Sequence, residues 1–209
     1  MGDTFASGQP LHCSARRYSS RRDESPPPVT LDSAVRAVIV FKNPKVLMSA
    51  KVNPIPEGYH SITPYLHMRR CSEAIEFYKK VFGATECVRM GGPDGKIGHA
   101  ELKIGDSMIM MADECPEMGA KGPETFGGTT FTVALYVDDV DAVFKKAISS
   151  GAKQARPVEN QFYGDRAGSI IDPFGHQWHI ATHVEDVPPD EMARRAEEYM
   201  KKHAPPAQK

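Results

Sequence analysis

The sequence predicts an α+β fold of two tandem βαβββ modules, each a mixed sheet with one face left open. Three observations predict it. Apolar residues switch from alternating to helical spacing and back, twice; a Gly-Ala pair closes both helical stretches, at Gly83 and Gly151; and each copy then runs into three short strand-like segments.

In the first copy, 62–68 reads as a strand and Ser72 as a helix N-cap. Ile75, Tyr78 and Phe82 recur at helical spacing, Gly83 stops the helix, and strands follow at 85–90, 97–104 and 107–113. In the second copy, 131–137 alternates strongly, and Val140, Val143, Phe144, Ala147 and Ile148 form one apolar helical face ended by Gly151. Strands follow at 154–158, 167–171 and 177–183, so the modules occupy about 59–115 and 130–184 of a domain spanning 56–186. Within 187–209, Glu191, Met192, Ala196, Tyr199 and Met200 predict an amphipathic helix, docked on the domain or on a second subunit.

Residues 1–55 differ in kind: Arg16, Arg17, Arg21 and Arg22 sit among serines, followed by Pro26, Pro27 and Pro28. A disordered leader is expected there, with Met48 as the preferred natural start. A mitochondrial presequence is the alternative, and Asp3, Asp23 and Glu24 count against its acid-poor character.

A formal net charge of -1 with no basic stripe gives no field to attract nucleic acid. No apolar run approaches the length of a membrane span. Cys13, Cys71, Cys87 and Cys115 are scattered without C-x-x-C spacing, which suits reduced thiols and a cytoplasmic location.

One helix per four strands covers one sheet face, so alternation sorts the side chains. Ala100, Leu102 and Ile104 turn to the helices, and His99, Glu101 and Lys103 to the open side; Trp178 and Ile180 turn inward, and Gln177, His179, Ala181 and His183 outward. By the same rule Thr63, Tyr65, His67, Thr132, Ala134 and Tyr136 line the open side. A polar, aromatic, histidine-bearing concavity suits a small-molecule site, and a solvated sheet face would be polar as well.

The strings SITPYLHM, EAIEFYKKVFGA, DGKIGHAEL, YVDDVDAVF, FYGDRAGSIIDPFGHQW and IATHVED resemble the vicinal oxygen chelate superfamily of glyoxalase, bleomycin-resistance and dioxygenase proteins, in particular its PhnB-like branch. The resemblance runs from about Pro56 to Asp186. It implies an incomplete barrel around a cleft and a homodimer, and leaves the chemistry to the site. Metal-using members place ligands on the first and last strands of each module. Here those positions fall on Thr63, Thr132, His179, and Ile109 or Met110, so only one of the four offers a suitable ligand, and a cleft without cofactor or metal is expected. The alternative is a set of His99, Glu101 and His179 converging on one divalent ion such as Zn, Ni, Mn or Fe.

The function expected is binding of a small polar or aromatic molecule, with His99, Glu101 and His179 as the chemically active groups. Thr63, Tyr65, His67, Thr132, Tyr136, Tyr163 and Arg166 would contact the ligand. Within the loop 161–166, Tyr163 would stack and Arg166 clamp a carboxylate or phosphonate, unless Asp165 and Arg166 merely form a turn at the sheet edge. Asp172-Pro173-Phe174-Gly175-His176 reads as a structural turn. Two other readings are a metal-dependent lyase or isomerase acting on adjacent oxygens, and a non-catalytic dimeric scaffold.

Overall fold

The computed structural model describes residues 52–92 and 94–203; of the expected leader, residues 1–51 lie outside the described residues, as does the end of the tail, 204–209. Both modules belong to one unit, Lys51–Lys209.

The first module runs β1 (Tyr65–Met68), α1 (Cys71–Phe82), β2 (Thr85–Gly91), β3 (Ile97–Ile104), β4 (Ser107–Asp113). Its sheet has the order β1-β4-β3-β2, with β1 parallel to β4 and the remaining pairs antiparallel. Strand β1 starts three residues later than its alternation predicts. Pro64 has no N–H to donate, and its carbonyl instead takes the Met110 N–H at 2.8 Å.

Helix α1 corrects a second expectation. Arg70, in the left-handed region at φ 60, precedes the helix, and Ser72 lies inside it. The cap comes from a distant strand: Asp113 accepts the Cys71 N–H at 3.0 Å and the Ile97 N–H at 2.7 Å. Gly83, at φ 68, ends α1 as expected.

A linker follows that carried no signal in the sequence: a 3₁₀ turn, Pro116–Met118, then the short helix α2 (Pro123–Phe126). The second module repeats the first as β5 (Thr132–Tyr136), α3 (Val140–Ser149), β6 (Lys153–Asn160), β7 (Asp165–Ile171), β8 (Gln177–His183), in the order β5-β8-β7-β6. Asp139 caps α3 through the Ala142 N–H at 2.9 Å. Here too the last strand supports the helix start: Thr182 Oγ1 accepts the Val140 N–H at 2.9 Å and donates to the Val137 carbonyl at 2.8 Å.

The result, among the described residues, is two four-stranded mixed sheets and no closed barrel, the open α+β architecture that the sequence predicts. The core lies where α1 and α3 meet the sheets. Tyr78, Phe82, Phe174 and Trp178 pack there with ring centroids 4.6 to 6.5 Å apart. Buried Asp172 joins the modules: one oxygen accepts the N–H groups of Phe174 and His176, and the other accepts Tyr78 Oη–H at 2.7 Å and Trp178 Nε1–H at 2.9 Å. With four donors met, a buried carboxylate is sustainable.

Helix α4 (Pro189–His203) buries none of its residues. It rests on the domain through Arg195, which donates to both oxygens of Glu185 at 2.8 Å, and through Tyr199 against Phe162, centroids 5.1 Å apart. Cys71, Cys87 and Cys115 are free thiols. No helix among the described residues is long and apolar enough to cross a membrane.

Candidate functional site

Alternation along β3 buries Ala100, Leu102 and Ile104 and turns His99 and Glu101 to the open face. Strand β4 sets Met110 directly opposite both Tyr65 and Glu101, while Ile109 is buried in the core. A hydrogen-bonded chain crosses this face. Tyr65 Oη lies 2.9 Å from His99 Nδ1, His99 Nε2 lies 3.1 Å from Glu101 Oε1, and Tyr59 Oη donates to Glu101 Oε2.

The electrostatics assign the protons. Hydrogen bonds from Tyr59 and His99 hold Glu101 below the usual carboxylate range, so it is ionised at neutral pH and can only accept. A proton on His99 Nε2 therefore faces Glu101, and Nδ1 is placed to accept from Tyr65. The bond to Glu101, with burial, raises the Tyr59 phenol to about 12, and burial raises Tyr65. The segment ahead of β1 roofs this chain: Pro54, Ile55, Tyr59 and Thr63, with Glu101 and Met110, help line a cavity of about 410 Å³.

The second sheet carries a different arrangement. His179 lies opposite Ala134 and Ser169, its Nδ1 3.2 Å from Ser169 Oγ. It shares a cavity of about 370 Å³ with Arg156, Glu159, Tyr163 and Tyr199. At the far end of β8, buried Asp165 accepts Tyr136 Oη–H at 2.8 Å and lies 2.7 Å from His183 Nδ1, whose Nε2 lies 3.1 Å from Asp186. Hydrogen bonds to Asp165 and Asp186 raise His183 above the ordinary imidazole range, and Asp165 raises Tyr136.

The profile of the Glyoxalase/Bleomycin resistance protein/Dioxygenase superfamily matches residues 65–180, more than half of the chain and both modules. The chain belongs to this superfamily. Uncharacterized protein Mb0911c of Mycobacterium bovis is 42% identical over 135 residues, covering 63% of this chain and 89% of its own. The crystal structure of protein PA1353 from Pseudomonas aeruginosa is similar at TM-score 0.50 and 26% identity, over 59% of this chain and 98% of that one. A structure from Bacillus cereus described as a putative 3-demethylubiquinone-9 3-methyltransferase, PhnB protein, has TM-score 0.49 and 16% identity over 59% and 99%.

As a glyoxalase-superfamily chain, it can be tested against the expected ligand positions. The register makes Tyr65, Met110 and Glu101 the counterparts of Ala134, His179 and Ser169. The positions that hold a metal elsewhere in the superfamily thus carry Thr63, Met110, Thr132 and His179. Two hydroxyls, a thioether and one imidazole do not fit a divalent ion that wants three N, O⁻ or S⁻ donors. The alternative set is also divided: His99 and Glu101 bond to each other on the first sheet, and His179 bonds to Ser169 on the second. Among the described residues, no three His, Cys, Asp or Glu side chains are grouped to hold a metal.

Two sequence expectations need correcting. Arg166 faces the helix side of β7, its Nε–H and one Nη2–H bound to the two oxygens of Asp141 at 2.6 and 2.7 Å and one Nη1–H to Asn160, so the guanidinium is already paired with a carboxylate and turned away from the open face. Alternation could have shown this, since Arg166 shares a face with Gly168 and core Ile170. The expected ligand contacts also divide among several places. Tyr65, His99, Glu101 and Thr63 gather on the first sheet, His179 and Tyr163 on the second, Tyr136 points to Asp165, Thr132 is exposed, and His67 lines a separate cavity beneath the linker. Tyr59 and Tyr199 were missed because one sits in irregular chain and the other on α4. Ser169 and Asp165 were readable from alternation along β7.

Proposed function

We propose that this superfamily member binds a small polar or aromatic molecule on the open face of the first sheet without a metal ion. The Tyr65–His99–Glu101–Tyr59 chain is the observation that carries the reading. It offers an ionised carboxylate backing an imidazole, two phenols at its ends, and an adjoining cavity of ligand size. Such a chain can orient a ligand's hydroxyl or amide, because Glu101 fixes His99 and the Tyr65 oxygen, whose proton is directed to His99, keeps its lone pairs free to accept from the ligand. His179, with a single hydroxyl partner, has a secondary role.

A homodimer is part of the same reading. Met90 and Tyr136, both more than half exposed on the open faces, support a second copy as a cover for them.

The test is a thermal-shift screen of small polar and aromatic compounds against the full chain, repeated with Glu101→Gln and His179→Ala, alongside elemental analysis and sedimentation. Hits lost in Glu101→Gln and kept in His179→Ala would support the assignment. About one divalent ion per chain, lost in Glu101→Gln, would overturn its metal-independent part, and a monomer would overturn the dimer.

A further inference from the structure

His176 was read from the sequence as a turn residue, and it does sit in the turn between β7 and β8. It is 4% exposed, and neither ring nitrogen makes a hydrogen bond of good geometry, although the His67 backbone lies beside the ring; His67 Nδ1 is buried and unpartnered as well. Leaving such groups unmet costs about 1–3 kcal/mol each, so these ring nitrogens are unused hydrogen-bonding capacity facing the space around them.

Both imidazoles line one cavity of about 570 Å³, the largest of those described here. Its walls include Tyr65, Phe126 and Phe131, and Lys121 lies at its edge with Nζ 5.8 Å from the Phe126 ring centroid.

The cavity is built by the linker, which is pinned on two sides. A Cβ on Gly122 would lie 2.8 Å from the His67 carbonyl oxygen, and one on Gly175 would lie 2.8 Å from Pro123, so the backbones meet closely there. Glu114 accepts the Gly122 N–H at 3.0 Å, Thr125 Oγ1–H at 2.6 Å and Arg69 Nε–H at 2.6 Å. Arg70 bridges Glu124 and the Pro173 carbonyl at 3.2 and 3.3 Å. This is a pre-formed site with an aromatic wall and two unmet polar groups.

We propose that this linker cavity, which shares only the Tyr65 wall with the Glu101 face, is a second small-molecule site, and that it takes a neutral, planar heteroaromatic ring presenting both an N–H donor and a carbonyl acceptor. Burial lowers both His67 and His176 below the ordinary imidazole range, so each is neutral and brings one donor and one acceptor. A ligand that only accepts or only donates would leave nitrogens unmet. A dianion is disfavoured because Lys121 is the only charged side chain lining the cavity among the described residues.

The probes are 4-quinolone, which has the donor and acceptor, and quinoline, which has only an acceptor. Each is titrated calorimetrically into the full chain and into His176→Leu, Thr130→Trp and Glu101→Gln. Thr130 is an exposed residue on the cavity lining, so its replacement blocks the space without disturbing the core. Saturable 4-quinolone binding is expected, about tenfold tighter than quinoline, as one buried hydrogen bond implies. His176→Leu should weaken it by about the same factor without lowering Tm, Thr130→Trp should abolish it, and Glu101→Gln should leave it unchanged. No saturable binding, meaning a cavity filled by water alone, overturns the proposal. So does equal affinity for the two probes, or loss in Glu101→Gln with retention in Thr130→Trp. If His176→Leu fails to fold, the Thr130→Trp and Glu101→Gln pair decides.

Discussion

The two modules match strand for strand, yet equivalent positions on their open faces carry different chemistry. Where the first has Tyr65, Met110 and Glu101, the second has Ala134, His179 and Ser169; where the first has His67, the second has Tyr136. What stays common is the backbone support. In each module the penultimate or last residue of the final strand, Asp113 or Thr182, reaches across to the first N–H of the helix. The lesson is that the repeat holds the devices that build a module, while the face residues diverge. A carboxylate chain forms on one sheet, and a single imidazole against a hydroxyl on the other.

The largest expected effect tests whether the modules are separable at all. Asp172→Ala strips the acceptor from four donors in both modules, and should cost about 3–5 kcal/mol in urea unfolding. A cost under 1 kcal/mol, or two separate transitions, would show that the modules are held together by packing alone.

Next comes the contrast between the faces. In Glu101→Gln the Tyr59 phenol should fall from about 12 toward the ordinary value near 10, followed by tyrosine titration in the ultraviolet. His179→Ala should leave that titration unmoved.

The shared helix support offers a sharper test. Asp113 accepts two N–H groups and Thr182 one, so Asp113→Ala should cost about 2 kcal/mol and Thr182→Ala about 1 kcal/mol. Equal costs would mean that the Ile97 contact contributes nothing.

Histidine titration gives a smaller, pH-dependent contrast. His67 and His176 are lowered in the folded chain, so below about pH 6.5 the unfolded chain binds protons that the folded chain does not, and stability falls with acid. His183 is raised, so its contribution is full below about pH 6.5 and is lost as pH rises through its folded pKa. His176→Leu should flatten the acid limb and His183→Ala the fall in stability above about pH 6.5, both read from unfolding midpoints against pH.

The smallest effect is at Arg166. Its partners are exposed, so Arg166→Ala should cost under about 1 kcal/mol and leave ligand binding intact. A large loss of binding would restore it to the site.

By itself the sequence determined the two βαβββ modules, the glycine stops and the side each strand residue faces, because those follow from periods of 2.0 and 3.6 residues within a few residues of chain. His99 and Glu101, two apart on one strand, were adjacent on that argument alone. Tertiary structure decided everything that needs residues far apart to meet. Asp113 displaced Ser72 as the support of α1 because a strand end lies beneath the helix start. Arg166 was taken by Asp141 from α3. Tyr59 entered the Glu101 chain from irregular sequence, and His176 became cavity lining because the linker folds over it. Periodicity gives the direction in which a side chain leaves its own backbone, and only the packed chain gives what it meets there.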